Sequence, residues 1–251
     1  MKNMNERGWW KVMLHMIALA KQNGIALAYH FAATDKEEFL KKRSELRNIS
    51  PDFLAGISIH VINSEGTTFA DIQRMDPYFS DAIQLDSVSE LVEKVRRLSQ
   101  LNATDIAAYL VQRYHLNAFL LQKTLYYIYA DYLEKYREPP FIADFEAFEH
   151  GPVEREVYRK NKYTDELEKS GLFEGKLAVY PKTAELLLTI KTTVEQCKQQ
   201  YIAAWDDPEK NLTHRKGTPW SRARARQENL KILDEDICAY HHLERLPTLT
   251  K

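Results

Sequence analysis

The sequence predicts an α+β protein in two parts. Residues 1–100 form a small α/β domain with a short, largely parallel sheet, and residues 101–251 form a mostly α-helical domain. Three observations carry this. Short apolar runs bounded by turn residues alternate with capped segments as far as Leu98, the alternation that builds α/β layers. Beyond Asn102 apolar residues recur instead at steps of three and four, as the buried seams of a helix bundle do. A chain of 251 residues is also longer than most single domains. Gln100–Ala103, between the two patterns, is the expected linker.

In the first part, Trp9 to Gln22 reads as a helix that is apolar nearly all round (Trp9, Trp10, Val12, Met13, Leu14, Met16, Ile17, Leu19), suited to burial on several sides or to docking on a partner. Gly24 interrupts it, and the short apolar run Ile25–Phe31 reads as a strand. Thr34 and Glu37 suggest a capping box for a helix reaching Arg47. Gly56–Ile62 and Ala82–Leu85 have strand character, with a helix over Thr68–Arg74 between them. Ser87 and Glu90 form a second capping box, for a helix through Leu98. No glycine-rich phosphate cradle follows the first strand. His30 and His60 lie inside apolar strands and read as hydrogen-bonded core residues.

In the second part, Asn102 or Thr104 caps a helix with Ile106, Leu110 and Tyr114 inward. Asn117 caps a longer one whose Leu121, Leu125, Ile128 and Tyr132 share a face. Pro139-Pro140 is expected to end it. Gly151-Pro152 reads as a turn, with Pro152 opening a helix that carries Val153, Val157 and Tyr158. Residues 162–176 read as loop or frayed helix. Pro181 restarts a helix with a seam of Leu187, Ile190, Val194, Cys197 and Tyr201, closed by Asp206-Asp207-Pro208. Thr218 caps a short helix with Pro219 first and Trp220 next, and the last helix runs from Asp234 to Leu246.

Lysine plus arginine number 35 and aspartate plus glutamate 36, so a net charge of −1 gives no global attraction to nucleic acid or to an anionic membrane. The 2 cysteines exclude a disulfide framework and suit the reducing cytoplasm. The apolar stretch Val12–Ala20 is interrupted by His15 and lacks a cleavage site, and no run approaches the roughly 20 apolar residues a membrane span needs. Cys197, His214, Cys238 and His241 lack the paired spacing of a metal site, so neither metal nor cofactor is expected. Glu146, Glu149 and His150 read as turn-stabilising groups rather than as acid–base machinery.

Two features stand out as candidate contacts for a partner. The run His214, Arg215, Lys216, Arg222, Arg224 and Arg226, with Trp220 inside it, fits a solvated helix face, docking on an acidic protein surface, or phosphate contacts. Tyr126, Tyr127, Tyr129, Tyr132 and Tyr136 are too dense for one buried stripe. Tyr126, Tyr127, Tyr129 and Tyr136 are therefore expected to include rings facing solvent or a partner.

The succession LQKTLYYIYADYLEKY, FEAFEHGPVEREVY and THRKGTPW resembles the Panacea or SocA-like antitoxin domain of bacteria and phages. The match falls on Leu121, Gln122, Lys123, Leu125, Tyr126, Glu146, Ala147, Gly151, Pro152, Val153, Val157, Tyr158, His214, Pro219 and Trp220, and spans roughly Asn102 to Leu246. Thr124 stands where the family has an apolar residue and Phe148 where it has tryptophan. The resemblance implies a packed PW turn and a non-catalytic protein that binds a cognate toxin, the product of the adjacent gene. A variant implied by relatives is an adaptor that hands the toxin to a cellular protease. Two other expectations stay open: an enzymatic or toxic activity in the α/β domain restrained by the helical one, and DNA-binding autoregulation through Arg222–Arg226.

Overall fold

The computed structural model describes residues 13–22, 24–46, 56–164, 166–169, 171–178, 180, 182–201 and 210–249. The chain is α+β and divides into two compact units. One holds the described residues up to Ser99 with a short stretch around Lys176, and the other holds the remainder.

The first unit runs β1 (Met13–Gln22), β2 (Ile25–Ala33), α1 (Lys36–Glu45), β3 (Ser58–Ser64), α2 (Phe69–Met75), β4 (Ala82–Leu85) and α3 (Val88–Leu98). The strand order is β3-β1-β2-β4. β1 pairs antiparallel with both β2 and β3, and β2 pairs parallel with β4. The sheet is therefore mixed rather than largely parallel. The difference begins at Met13–Gln22, which is a strand and not a helix. β1 is a central strand covered on both faces. Met16, Ala18 and Ala20 pack with Leu27, Phe39, Leu91 and Val95, while Ile17 and Leu19 pack with Phe69, Ile72 and Phe79. A strand buried on both faces is apolar at every step, so its sequence shows no period that separates it from a buried helix. Gly24, at φ 76°, sits between β1 and β2. Trp9 and Trp10 lie outside the described residues.

The caps follow the sequence with one shift. Asp35, not Thr34, caps α1, accepting from the Glu38 amide at 2.8 Å. Ser87 caps α3, while Glu90 reaches the Asp86 amide. Thr68 and Asp71 make a full capping box at α2.

The second unit runs α4 (Ala103–Tyr114), α5 (Ala118–Tyr136), β5 (Phe145–Phe148), β6 (Gly151–Glu154), α6 (Arg155–Tyr163), α7 (Glu166–Lys169), α8 (Leu172–Leu177), α9 (Thr183–Tyr201), α10 (Pro219–Arg226) and α11 (Asp234–Tyr240). Helix α8 crosses the division between the units, its residues from Gly175 onward being counted with the first. Of Asn102 and Thr104 it is Asn102 that caps α4, and Asn117 caps α5 as expected. Helix α5 stops at Tyr136, before the proline pair, because Arg137 turns left-handed (φ 61°) and donates its amide to Leu133. Phe148 pairs directly with Gly151, so the turn is Glu149-His150 and Pro152 lies within β6, opposite Ala147. Helix α6 starts three residues later, capped by the Glu154 carboxylate on the Val157 amide at 2.7 Å. The described residues between 162 and 176 are more helical than their polarity suggests. The seam of α9 begins at Leu186 rather than Leu187 and continues through Ile190, Val194, Cys197 and Tyr201, all buried. Asp206-Asp207-Pro208 lies outside the described residues. The last helix ends at Tyr240 and continues as a 3-10 turn, His241–Leu243. Among the described residues no helix is long and apolar enough to cross a membrane.

In the first unit His15 Nδ1 lies 2.8 Å from His30 Nε2, with the rings stacked, and His15 Nε2 lies 3.1 Å from the Gly66 carbonyl. Burial, then the neighbouring His15 ring, takes His30 down to about 4, and burial lowers His15 as well. The folded pair thus resists protons that the unfolded chain accepts. Its contribution to stability is present above the ordinary histidine value of 6.5 and is lost as pH falls towards about 4. His30→Gln keeps a polar partner without the titration, and should flatten the dependence of urea-unfolding stability on pH across that window. An unaltered slope in the variant would assign the acid sensitivity to other groups.

Candidate functional site

Helix α5 is buried along almost its whole length, from Leu120 to Ala130. Most of the polar groups it carries therefore find partners inside the protein. Gln122 treats the β6 backbone as a strand would: its Oε1 accepts from the Glu154 amide at 2.9 Å and its Nε2 donates to the Glu154 carbonyl at 3.4 Å. Lys123, 1% exposed, donates to Asn211 Oδ1 at 2.7 Å and Thr213 Oγ1 at 2.8 Å. Gly151 closes over this ammonium at φ 127°, and a Cβ there would fall onto Nζ. Glu146 holds Arg155 through both carboxylate oxygens.

A second cluster lies further along α5. His241 is clamped between Asp131, 2.8 Å from Nε2, and Glu244, 3.0 Å from Nδ1. Tyr126 donates to Glu244 Oε1 at 2.5 Å, and Tyr127 donates to the Glu244 carbonyl at 3.0 Å. Burial alone favours a neutral His241 ring, but Asp131 and Glu244 outweigh it and raise the ring to about 9. Burial pushes the Glu244 carboxyl up against the opposing pull of His241 and Tyr126. For Lys123 burial prevails over the field of Glu244 and brings the amine down to about 7. Burial likewise raises the Cys197 thiol, which lies on the α9 seam.

The tyrosines expected at a partner surface are therefore core residues. Tyr126, Tyr127 and Tyr129 are buried, and Tyr129 donates to Asp234 at 2.9 Å. They escape the one-stripe limit because α5 is enclosed on all sides, by α4, α9, α11 and β6. Tyr136 is half-buried, its ring tilted against that of Tyr132 with Lys135 and Lys182 over its face. The arginines of α10 are also engaged within the chain, while Arg215 and Lys216 are exposed. Arg222 and Arg226 share Asp236, Arg222 covers the Tyr240 ring, and Arg224 donates to the Ala147 carbonyl and Glu228. His214 lies flat on Trp220, ring centroids 3.9 Å apart, and Trp220 Nε1 donates to the Phe148 carbonyl at 2.8 Å. Burial, then Lys123, His150 and Arg224, lower His214 to about 4. Pro219 opens α10 beneath Thr218, as the sequence suggests.

A groove of about 500 Å³ lies open at the N-terminal end of α5. Ala118, Phe119, Gln122 and Lys123 form one wall, Phe148, Glu149, His150, Pro152 and Val153 the second, and Tyr158, Asn161 and Lys162 the third. Gln122, Lys123, Pro152, Val153 and Tyr158 belong to the antitoxin-like pattern. Leu121, Leu125, Glu146, Gly151 and Pro219 support the walls rather than line them. Ala118 and Phe119 escaped the sequence reading, though helical spacing sets them four residues before Gln122 and Lys123. Asn211, Thr213, His241 and Glu244 carried no local signal. Among the described residues no group of three or more His, Cys, Asp or Glu is placed to hold a metal ion. The groove is an apolar concavity with a polar rim, of the size that takes one or two side chains of a partner or a small molecule.

Two substitutions test the interior. Between about 7 and 10.5 the unfolded chain holds a proton that folded Lys123 lacks, so stability rises with pH across that window. Lys123→Met should remove this rise and keep the fold, because Thr213 still donates to Asn211 at 2.8 Å. Urea unfolding measured across that pH range checks it, and a wild-type slope in the variant would contradict the assignment. Gly151→Ala should cost about 2 kcal/mol or more through backbone strain and overlap with the ammonium. In the Lys123→Met background the cost should fall, which a double-mutant cycle measures.

No family model, curated protein or solved structure matches this chain, so its function has to be read from its own residues.

Proposed function

We propose that this protein is a non-catalytic antitoxin that acts in the cytoplasm, neutralising a protein toxin encoded beside it by direct contact. The observation that carries the reading is convergence. Of the residues that resemble the Panacea or SocA-like pattern, Gln122, Lys123, Pro152, Val153 and Tyr158, which come from α5, β6 and α6, meet around one groove. The groove's apolar walls suit a protruding side chain of the toxin, and its polar rim, with Glu149, His150, Asn161 and Lys162, suits orientation of that segment. The chemistry of the toxin stays open in this reading. Delivery of the bound toxin to a cellular protease is a variant of it, separated by the toxin's half-life with and without this protein. The arginines of α10 are engaged by Asp236, Glu228 and the Ala147 carbonyl, so they lend little to a nucleic-acid reading.

Co-expression with the neighbouring gene product tests the proposal. The wild-type chain should relieve the toxin's growth defect and co-purify with it. Ala118→Trp, at an exposed position on the groove wall, should abolish both while leaving the thermal midpoint nearly unchanged. Failure of the wild-type chain to rescue or bind would sink the antitoxin reading. Full rescue by Ala118→Trp would move the contact to another surface.

A further inference from the structure

The two edges of the first unit's sheet are protected very differently. β4 is four residues long and is flanked by Asp81 and Asp86, so a short strand and two charges discourage pairing at that edge. β3 has none of these devices. Its seven residues, Ser58-Ile-His-Val-Ile-Asn-Ser64, contain no Lys, Arg, Asp, Glu, Pro or Gly. Its register against β1 runs unbroken from Leu19↔Ser58 to Met13↔Ser64, with no bulge to twist the edge away. Among the described residues no strand lies on its outer side. Ile59 and Val61 are 41% and 51% exposed and point to the same face, two residues apart on the strand. They extend the core face of β1, since Ile59 is paired with Ala18 and Val61 with Met16.

We propose that β3 is a homodimerisation edge, at which two copies of the chain join by antiparallel pairing of Ser58–Ser64 across a two-fold axis. The pairing makes one sheet continuous through both copies. The inference concerns the α/β unit alone and does not depend on the antitoxin reading. A second copy is the occupant because the strand is complementary to itself. With the axis at Val61, each Val61 stands beside its counterpart and Ile59 faces Asn63. The exposed apolar residues of the two copies then form one strip across the axis. Ser58 meets Ser64, His60 meets Ile62, and no acidic or basic side chain opposes its like. Cross-strand pairs of this kind stabilise a sheet, whereas like charges set opposite each other would not. An isologous contact of this form closes after two copies and leaves no free β3 edge for further growth. The short, acid-flanked β4 edge then terminates the sheet at both ends.

The test is the mass of the full chain by sedimentation and light scattering, from micromolar to submillimolar concentration. The wild type should approach twice the chain mass of 29.4 kDa as concentration rises. Val61→Lys and Val61→Glu each set like charges together at the axis and should stay at the single-chain mass. An equimolar mixture of the two should recover the dimer. Ile83→Lys, on the opposite edge, should dimerise as the wild type does. Hydrogen exchange of the wild-type Ser58–Ser64 amides should slow as the chain associates, a readout that needs no variant to fold. A wild type that remains a monomer overturns the proposal. So does a Val61→Lys chain that dimerises like the wild type, or exchange in β3 that ignores concentration.

Discussion

The helical unit depends on one constraint, the full burial of a helix that carries too many polar groups for a core. Gln122, Lys123, Tyr126, Tyr127 and Tyr129 all lie on the enclosed part of α5. An unpaired buried polar group costs free energy comparable to a lost hydrogen bond, and an unpaired charge costs more. The rest of the unit is arranged around supplying partners. Glu154 backbone atoms serve Gln122, Asn211 and Thr213 serve Lys123, Glu244 serves the first two tyrosines, and Asp234 serves the third. These partners come from chain segments far apart in sequence, so the same bonds that satisfy α5 also fix the tertiary arrangement.

That arrangement explains the placement of the groove. Gly151 must lie close over Lys123, which brings the β5–β6 hairpin down on the first turns of α5. Trp220 fixes the hairpin from the other side through the Phe148 carbonyl, with His214 stacked on its ring. The concavity between Phe119, Val153 and Tyr158 is left where the helix, hairpin and α6 meet. Its walls are therefore held by the polar interior rather than by loops of their own. The cluster of Asp131, His241 and Glu244 meets the same helix at Asp131, about two turns beyond Lys123, and shares Glu244 with Tyr126.

The first unit solves its burial problem with a sheet instead. β1 supplies residues to two separate apolar clusters, one on each face, and the flanking strands leave one edge guarded and the other bare. The hydrogen-bonded histidine pair lies across β1 and β2, where burial keeps the rings short of protons.

Local signals were enough for much of this. Asn102, Asn117, Ser87 and Thr218 announced their helices because a cap is made by residues three or four positions apart. The seam of α9 was visible for a similar reason, whereas the packing of Trp220 was what the family resemblance implied. The α+β class itself followed from the change of pattern near residue 100. What the sequence could not show was which side of an all-apolar segment meets what. Met13–Gln22 became a strand because neighbours cover both of its faces, and the tyrosines of α5 went inward because Glu244, Asp234 and Tyr201 were there to receive them. Pro152 likewise entered a strand because Ala147 and the hairpin turn fix the register before it. Caps and periods depend on neighbours in sequence. Burial on a second face, a partner for a buried hydroxyl, and the walls of a groove depend on residues a hundred positions away, and only the folded chain brings those together.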